Sequence, residues 1–144
     1  MTHSDNRTAD IADVDSIIAA MYGVISGVAG ESRDWDRFRS LYLPNARLMP
    51  IVAVAGRTPA VRILSPDDYI RRVEPIFAAE DFWERETSRQ TEIVGRIAHV
   101  LSSYESLRSL QGNPFETGTN SVQLFYDDQR WWIVNVMWNT SRPE

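Results

Sequence analysis

At 144 residues and a net charge of −5, the chain is one domain long enough to bury a core, and its acidity argues against nonspecific nucleic-acid binding, which needs a basic patch. No apolar run approaches the roughly 20 residues of a membrane span. There is no cysteine and every one of the 15 basic residues is arginine, which removes thiol nucleophiles, disulfides, thiolate metal sites and Schiff-base chemistry.

Residues 1–10 are polar and lack the apolar core of a signal peptide, so they read as a disordered tail on a cytoplasmic protein. A single domain over residues 11–140 follows. Ile11, Val14, Ile18, Met21, Tyr22 and Ile25 recur at spacings of three and four, the stripe of an amphipathic helix, and SGVAGES breaks it with two glycines. Within that helix GVISG looks like a nucleophile elbow, but its serine comes one place too late and a helix is the wrong context. Asp34 is placed to cap a second helix, DWDRFRSLY, with Trp35, Phe38, Leu41 and Tyr42 on its apolar face and Pro44 as its stop. ARLMPIVAVAG and AVRIL read as two short strands around Gly56-Arg57-Thr58-Pro59. Ser65 as N-cap, Pro66 as first helical residue, and Asp67 and Asp68 on the positive end of the dipole mark a third helix. It presents Ile70, Val73, Ile76 and Phe77, and Pro75 should bend it or end it early. FWERETSRQTEI and RIAHVLSSYESL are two long strands meeting near Val94-Gly95, the alternating charges of the first suggesting a solvated or intersubunit face. After QGNPFETG comes a hairpin, NSVQLFYDDQRWWIVNVMWN, which is apolar on both faces. The order of elements predicts an α+β domain, with helices packed on one face of a curved, mainly antiparallel sheet.

The candidate functional residues lie on these strands. Alternation places Ile97, His99 and Leu101 on one face, where a neutral imidazole is a competent general base if it lines a pocket, and a hydrogen-bonded strand histidine if it does not. His3 is the other histidine, so a multi-histidine zinc site is not expected. If Asp128-Gln129 is a two-residue turn, Leu124 opposes Ile133 and Val122 opposes Asn135, which groups Asn120, Val122, Asn135 and Met137 on one surface. A three-residue turn would put Trp132, Val134, Val136 and Trp138 there instead. Tyr22 lies on the first helix's apolar stripe and its hydroxyl needs a partner when buried.

DWDRFRSLYLPNARLMP, AHVLSSYES and TNSVQLFYDDQRWWIVNVMW together resemble the nuclear transport factor 2-like superfamily in its SnoaL-like bacterial branch, from about Val14 to Trp138. The resemblance implies a cone-shaped, cystatin-like domain in which three helices close a strongly bent sheet around an apolar pocket. It also implies a homodimer formed through the outer sheet face, and because helices can cover only one face of the doubly apolar hairpin, Trp132 or Trp138 is expected in the contact. Against the steroid isomerases of that superfamily, Tyr22 matches a first-helix tyrosine and Asn120 stands where they use a protonated aspartate. Pro50, between Met49 and Ile51, stands where they place the basic aspartate. Against scytalone dehydratase, His99, Asn120, Tyr22 and Tyr42 match in part. The combined expectation is a small-molecule pocket protein, of lyase, isomerase or cyclase type, acting without cofactor or metal on a small hydrophobic ring or polyketide-like substrate. His99 and Tyr22 would be catalytic, and Asn120, Asn135, Tyr42, Val122 and Met137 would hold substrate. The alternative is a non-catalytic binding module for a hydrophobic small molecule.

Overall fold

A computed structural model describes residues 3–141. Four helices precede or interrupt the strands: α1 (His3–Asp10), α2 (Val14–Gly23), α3 (Trp35–Ser40) and α4 (Pro66–Ala79). Each of the last three starts on the side chain that the sequence offers it. Asp13 accepts from Ser16 N at 2.7 Å, Asp34 accepts from Arg37 N at 3.0 Å, and Ser65 and Asp68 form a reciprocal capping box. Pro75 does not end α4, which runs on to Ala79. The helix loses one backbone bond there but keeps Ile70, Val73 and Phe77 buried on a common stripe, and that burial outweighs the loss.

The strands are β1 (Tyr42–Val52), β2 (Ala60–Val61), β3 (Trp83–Val94), β4 (Ile97–Leu107), β5 (Glu116–Tyr126) and β6 (Trp131–Ser141). They form one six-stranded sheet in the order β2-β1-β6-β5-β4-β3, antiparallel throughout except where β1 runs parallel to β6. This is the α+β architecture expected. Ile17 and Ile18 of α2 and Phe38 and Leu41 around α3 press on Ala98, Val100, Val122 and Ile133 of the sheet, and each is at most 1% exposed. Such side chains stabilise the fold by about 1.5–3 kcal/mol apiece. Among the described residues, no helix is long and apolar enough to cross a membrane.

Two expectations are corrected. Of the segment 1–10, read as a disordered tail, residues 1–2 lie outside the described residues and residues 3–10 form α1, whose last residue Asp10 is buried and takes a two-pronged bond from Arg37 at 2.7 and 2.8 Å. A charge-assisted fork onto α3 holds a segment too polar to dock by apolar burial. The last hairpin starts in the two-residue register, with Leu124 opposite Ile133, and then slips. One extra residue enters β6 at Val134, so Gln123 faces Asn135 and Val122 faces Val136. A bulge of this kind moves every later side chain to the opposite face.

Candidate active site

Between α2, α3, α4 and the concave face of the sheet lies a cavity of about 290 Å³. That is about ten water volumes, room for one ring or a small fused pair. Helix α4 supplies Tyr69, Arg72, Val73, Ile76 and Phe77, residues three or four apart along one stripe. The Tyr69 ring stacks on Phe38 at 5.4 Å and meets Trp138 edge-on at 6.0 Å, while Tyr42 lies tilted against Phe38 at 4.9 Å. Tyr104 comes from β4 and lies flat across Gly118 of β5. A Cβ at that position would sit 2.4 Å from its hydroxyl and 2.5 Å from the ring, so only glycine permits this approach.

Glu84 stands in the cavity wall opposite Ser106. Burial raises its carboxyl from 4.5 to about 8, and the nearby Glu116 charge adds to this. The Ser106 hydroxyl, which no full hydrogen bond satisfies, pulls the other way. At neutral pH the group is therefore mostly a neutral acid. The hydroxyls of Tyr42, Tyr69 and Tyr104 line the same cavity and make no hydrogen bond among the described residues. Burial holds all three above the usual phenol range, and the Glu84 charge acts on each in the same direction. Three hydroxyls with no partner among the described residues, open to the cavity around one titratable carboxyl, are available to a ligand.

Beside them runs a closed chain of hydrogen bonds. Asn120 Nδ2 donates to Tyr22 Oη at 3.0 Å, Tyr22 Oη shares a proton with Ser102 Oγ at 2.6 Å, and Ser102 donates to Glu86. Glu86 is gripped by Arg89, which also pairs with Asp15. Burial pushes the Tyr22 hydroxyl up to about 12, although its bonds to Ser102 and Asn120 work in the opposite direction.

No family model and no curated protein matches the sequence. Solved structures do. An NTF-2-like protein of unknown function from Silicibacter pomeroyi is 16% identical, covering 98% of this chain and 100% of that one with a TM-score of 0.61. A protein of unknown function with a cystatin-like fold from Nostoc punctiforme is 7% identical, over 88% and 87% of the two chains, with a TM-score of 0.66. LinA is 12% identical, over 88% and 84%, with a TM-score of 0.61. The chain has the nuclear transport factor 2-like fold.

Within that fold the expected site residues divide. Tyr42 and Asn120 line the cavity, and Pro50 and Ile51 do so where the isomerase resemblance would place a basic aspartate. Tyr22 is buried behind the wall and reaches the cavity through Asn120. Val122 is fully buried in the core beneath the helices rather than in the lining. His99 is corrected. It is exposed on the convex face, with Nε2 2.9 Å from Ser121 Oγ, because the small residues Ala98, Val100 and Ser102 fit under the helices and send Ile97, His99 and Leu101 outward. Asn135 is corrected as well. It lies past the bulge, where its amide bonds Gln123 on the convex side at 3.1 Å, and Met137 opposes Ser121 there. The same slip carries Val136 and Trp138 inward, so Trp138 belongs to the cavity and not to an outer contact surface.

Glu84, Tyr69 and Tyr104 were missed. Tyr69 had a signal, since it stands four residues before Val73 and eight before Phe77 on one helical stripe. Glu84 had a weaker one, two places after Phe82 on a strand, and its charged neighbours masked it.

Proposed function

We propose that the protein catalyses proton transfer on a small, mainly apolar ring carrying a carbonyl, as an isomerase or lyase does. Glu84 among three unbonded tyrosine hydroxyls is the observation that carries this reading. In its carboxylate form Glu84 takes a proton from the carbon beside the carbonyl. The electron pair moves onto the carbonyl oxygen, and the tyrosine hydroxyls donate hydrogen bonds to the oxyanion that forms. The carboxylic acid then returns the proton to a different carbon, or it assists the loss of a hydroxyl. Because Glu84 titrates near pH 8, about a tenth of it is the base at pH 7 and the rate rises about tenfold by pH 9.

Deuterium uptake tests this. Small cyclic ketones are incubated with the protein in heavy water, and exchange beside the carbonyl is followed by proton NMR from pH 6 to 9. Uptake that climbs through pH 8, falls about 10²–10⁴-fold in Glu84→Gln and survives in His99→Gln is expected. Compounds that bind without any uptake would instead make the cavity a binding module.

We further propose a homodimer through the convex face. Ile97, Leu101 and Phe125 are 60%, 41% and 38% exposed there beside Trp132, a run of apolar surface that water leaves unfavourably hydrated. Ile97→Glu should convert a dimer to a monomer in sedimentation equilibrium. A wild-type monomer at micromolar concentration would end this part of the proposal.

A further inference from the structure

Arg72 is the one cation in the cavity lining, among the described residues, that makes no ion pair and no hydrogen bond. The arginines around it are all engaged. Arg71 pairs with Asp68, and Arg39 with Asp67 and Asp36. Arg108, the other guanidinium in the wall, pairs with Glu80 at 2.9 Å, donates to the Asp81 carbonyl at 3.2 Å and lies 4.1 Å over the Phe115 ring. Arg72 has no such answer on its own helix. The residue four positions before it is Asp68, which is already held by the capping box and Arg71, and four positions after it comes the apolar Ile76. Yet Arg72 sits on the cavity stripe with Tyr69, Val73 and Phe77, exposed at the mouth, and its charge is felt by the Tyr69 hydroxyl.

A guanidinium kept idle at the mouth of an apolar cavity is a preformed partner for an anion, and its planar fork matches a carboxylate on two parallel bonds. Two carboxyl groups in the wall would ordinarily repel such a ligand. Glu84 is mostly uncharged at neutral pH, however, and Glu116 has a partner of its own. We infer that the ligand is a ring compound bearing a carboxylate, with Arg72 clamping the carboxylate at the mouth while the ring lies inside against Trp138 and the tyrosines. The clamp rests on the proton-transfer reading only in that its ligand would be that reaction's substrate; the binding of an acid at Arg72 stands or falls separately. Arg72 is then the residue that selects acids over their neutral analogues.

The test uses a matched pair, benzoate and benzamide, which share a ring and differ in charge. Both are titrated by isothermal calorimetry into the full chain at pH 6.5, where Glu84 is protonated. Benzoate is expected to bind at least tenfold more tightly than benzamide. Arg72→Gln should weaken benzoate about ten- to a hundredfold and leave benzamide unchanged. Arg96→Gln, at a guanidinium paired with Asp128 and outside the cavity lining, should change neither by more than about twofold. Equal binding of the two compounds to the wild type overturns the inference, and so does a benzoate affinity that Arg72→Gln leaves intact. Loss of deuterium uptake in Glu84→Gln addresses the reaction alone, so a clamp without catalysis and catalysis without a clamp give different results.

Discussion

Replacing Glu84 with glutamine should remove a pH dependence that the wild type carries in its stability. The folded chain holds this carboxyl's proton up to about pH 8, whereas the unfolded chain releases it near 4.5. Between those values the native state binds one proton more than the unfolded state, so stability is fully present below about pH 4.5 and falls as pH rises through 8. The slope is about 1.4 kcal/mol per pH unit. Across the interval this is on the order of 5 kcal/mol. Urea unfolding at pH 5, 6, 7, 8 and 9 reads it directly, comparing wild type with Glu84→Gln. The two stability curves should diverge, the wild type weakening steadily with pH while the variant stays flat through that range. Asp13, Asp68, Asp127 and Asp128, all held below the usual carboxylate range, are already ionised at pH 5 and leave the difference to Glu84. Parallel curves for the two proteins would refute the burial of Glu84 as a neutral acid, and with it the acid–base reading of the cavity.

Gly118→Ala should displace Tyr104, lowering stability by about 1–3 kcal/mol in thermal unfolding and reducing deuterium uptake as one donor leaves the oxygen site. Tyr22→Phe leaves Asn120 and Ser102 each short of a partner in a buried setting, and chemical denaturation should show a loss of about 1–3 kcal/mol. His99→Gln, on the exposed convex face, should shift stability by less than about 0.5 kcal/mol and leave catalysis unchanged in the NMR assay.

What was legible in the sequence followed from how local the cause was. The start of α4 is written in Ser65, Pro66 and Asp68, which act on one another within a single turn, and the structure begins the helix there, with Ser65 as N-cap. The turn of the last hairpin is equally local, and the pairing of Leu124 with Ile133 holds. The bulge at Val134 is not local, because it depends on how β6 must twist to serve β5 and β1 at once, and it alone decided whether Asn135 or Trp138 faced the cavity. For His99, both phases of β4 carry apolar residues, and the choice between them was made by the space under α2, which no alternation within β4 encodes. Glu84 hid for the same reason. A glutamate in a run of alternating charges reads as solvated until something is known of what covers the strand.

The placement of β6 has a consequence for how the molecule assembles itself. The strand is last in chain order yet sits in the interior of the sheet, paired to β5 on one side and to β1 on the other, and the same hairpin ties back to the first half of the chain through Arg130 and the Ser40 carbonyl across 90 positions. Until residues 131–141 take their place, β1 with β2 and the meander of β3, β4 and β5 are separate pieces, each ending in an unpaired edge. Those edges are templates for pairing with other chains. Joining the pieces requires a contact between distant parts of the sequence, the kind that closes late and slowly. Shortening the chain within β6 would therefore not trim a margin of the protein. It would divide the sheet in two, leaving the cavity without a wall and two adhesive edges in solution.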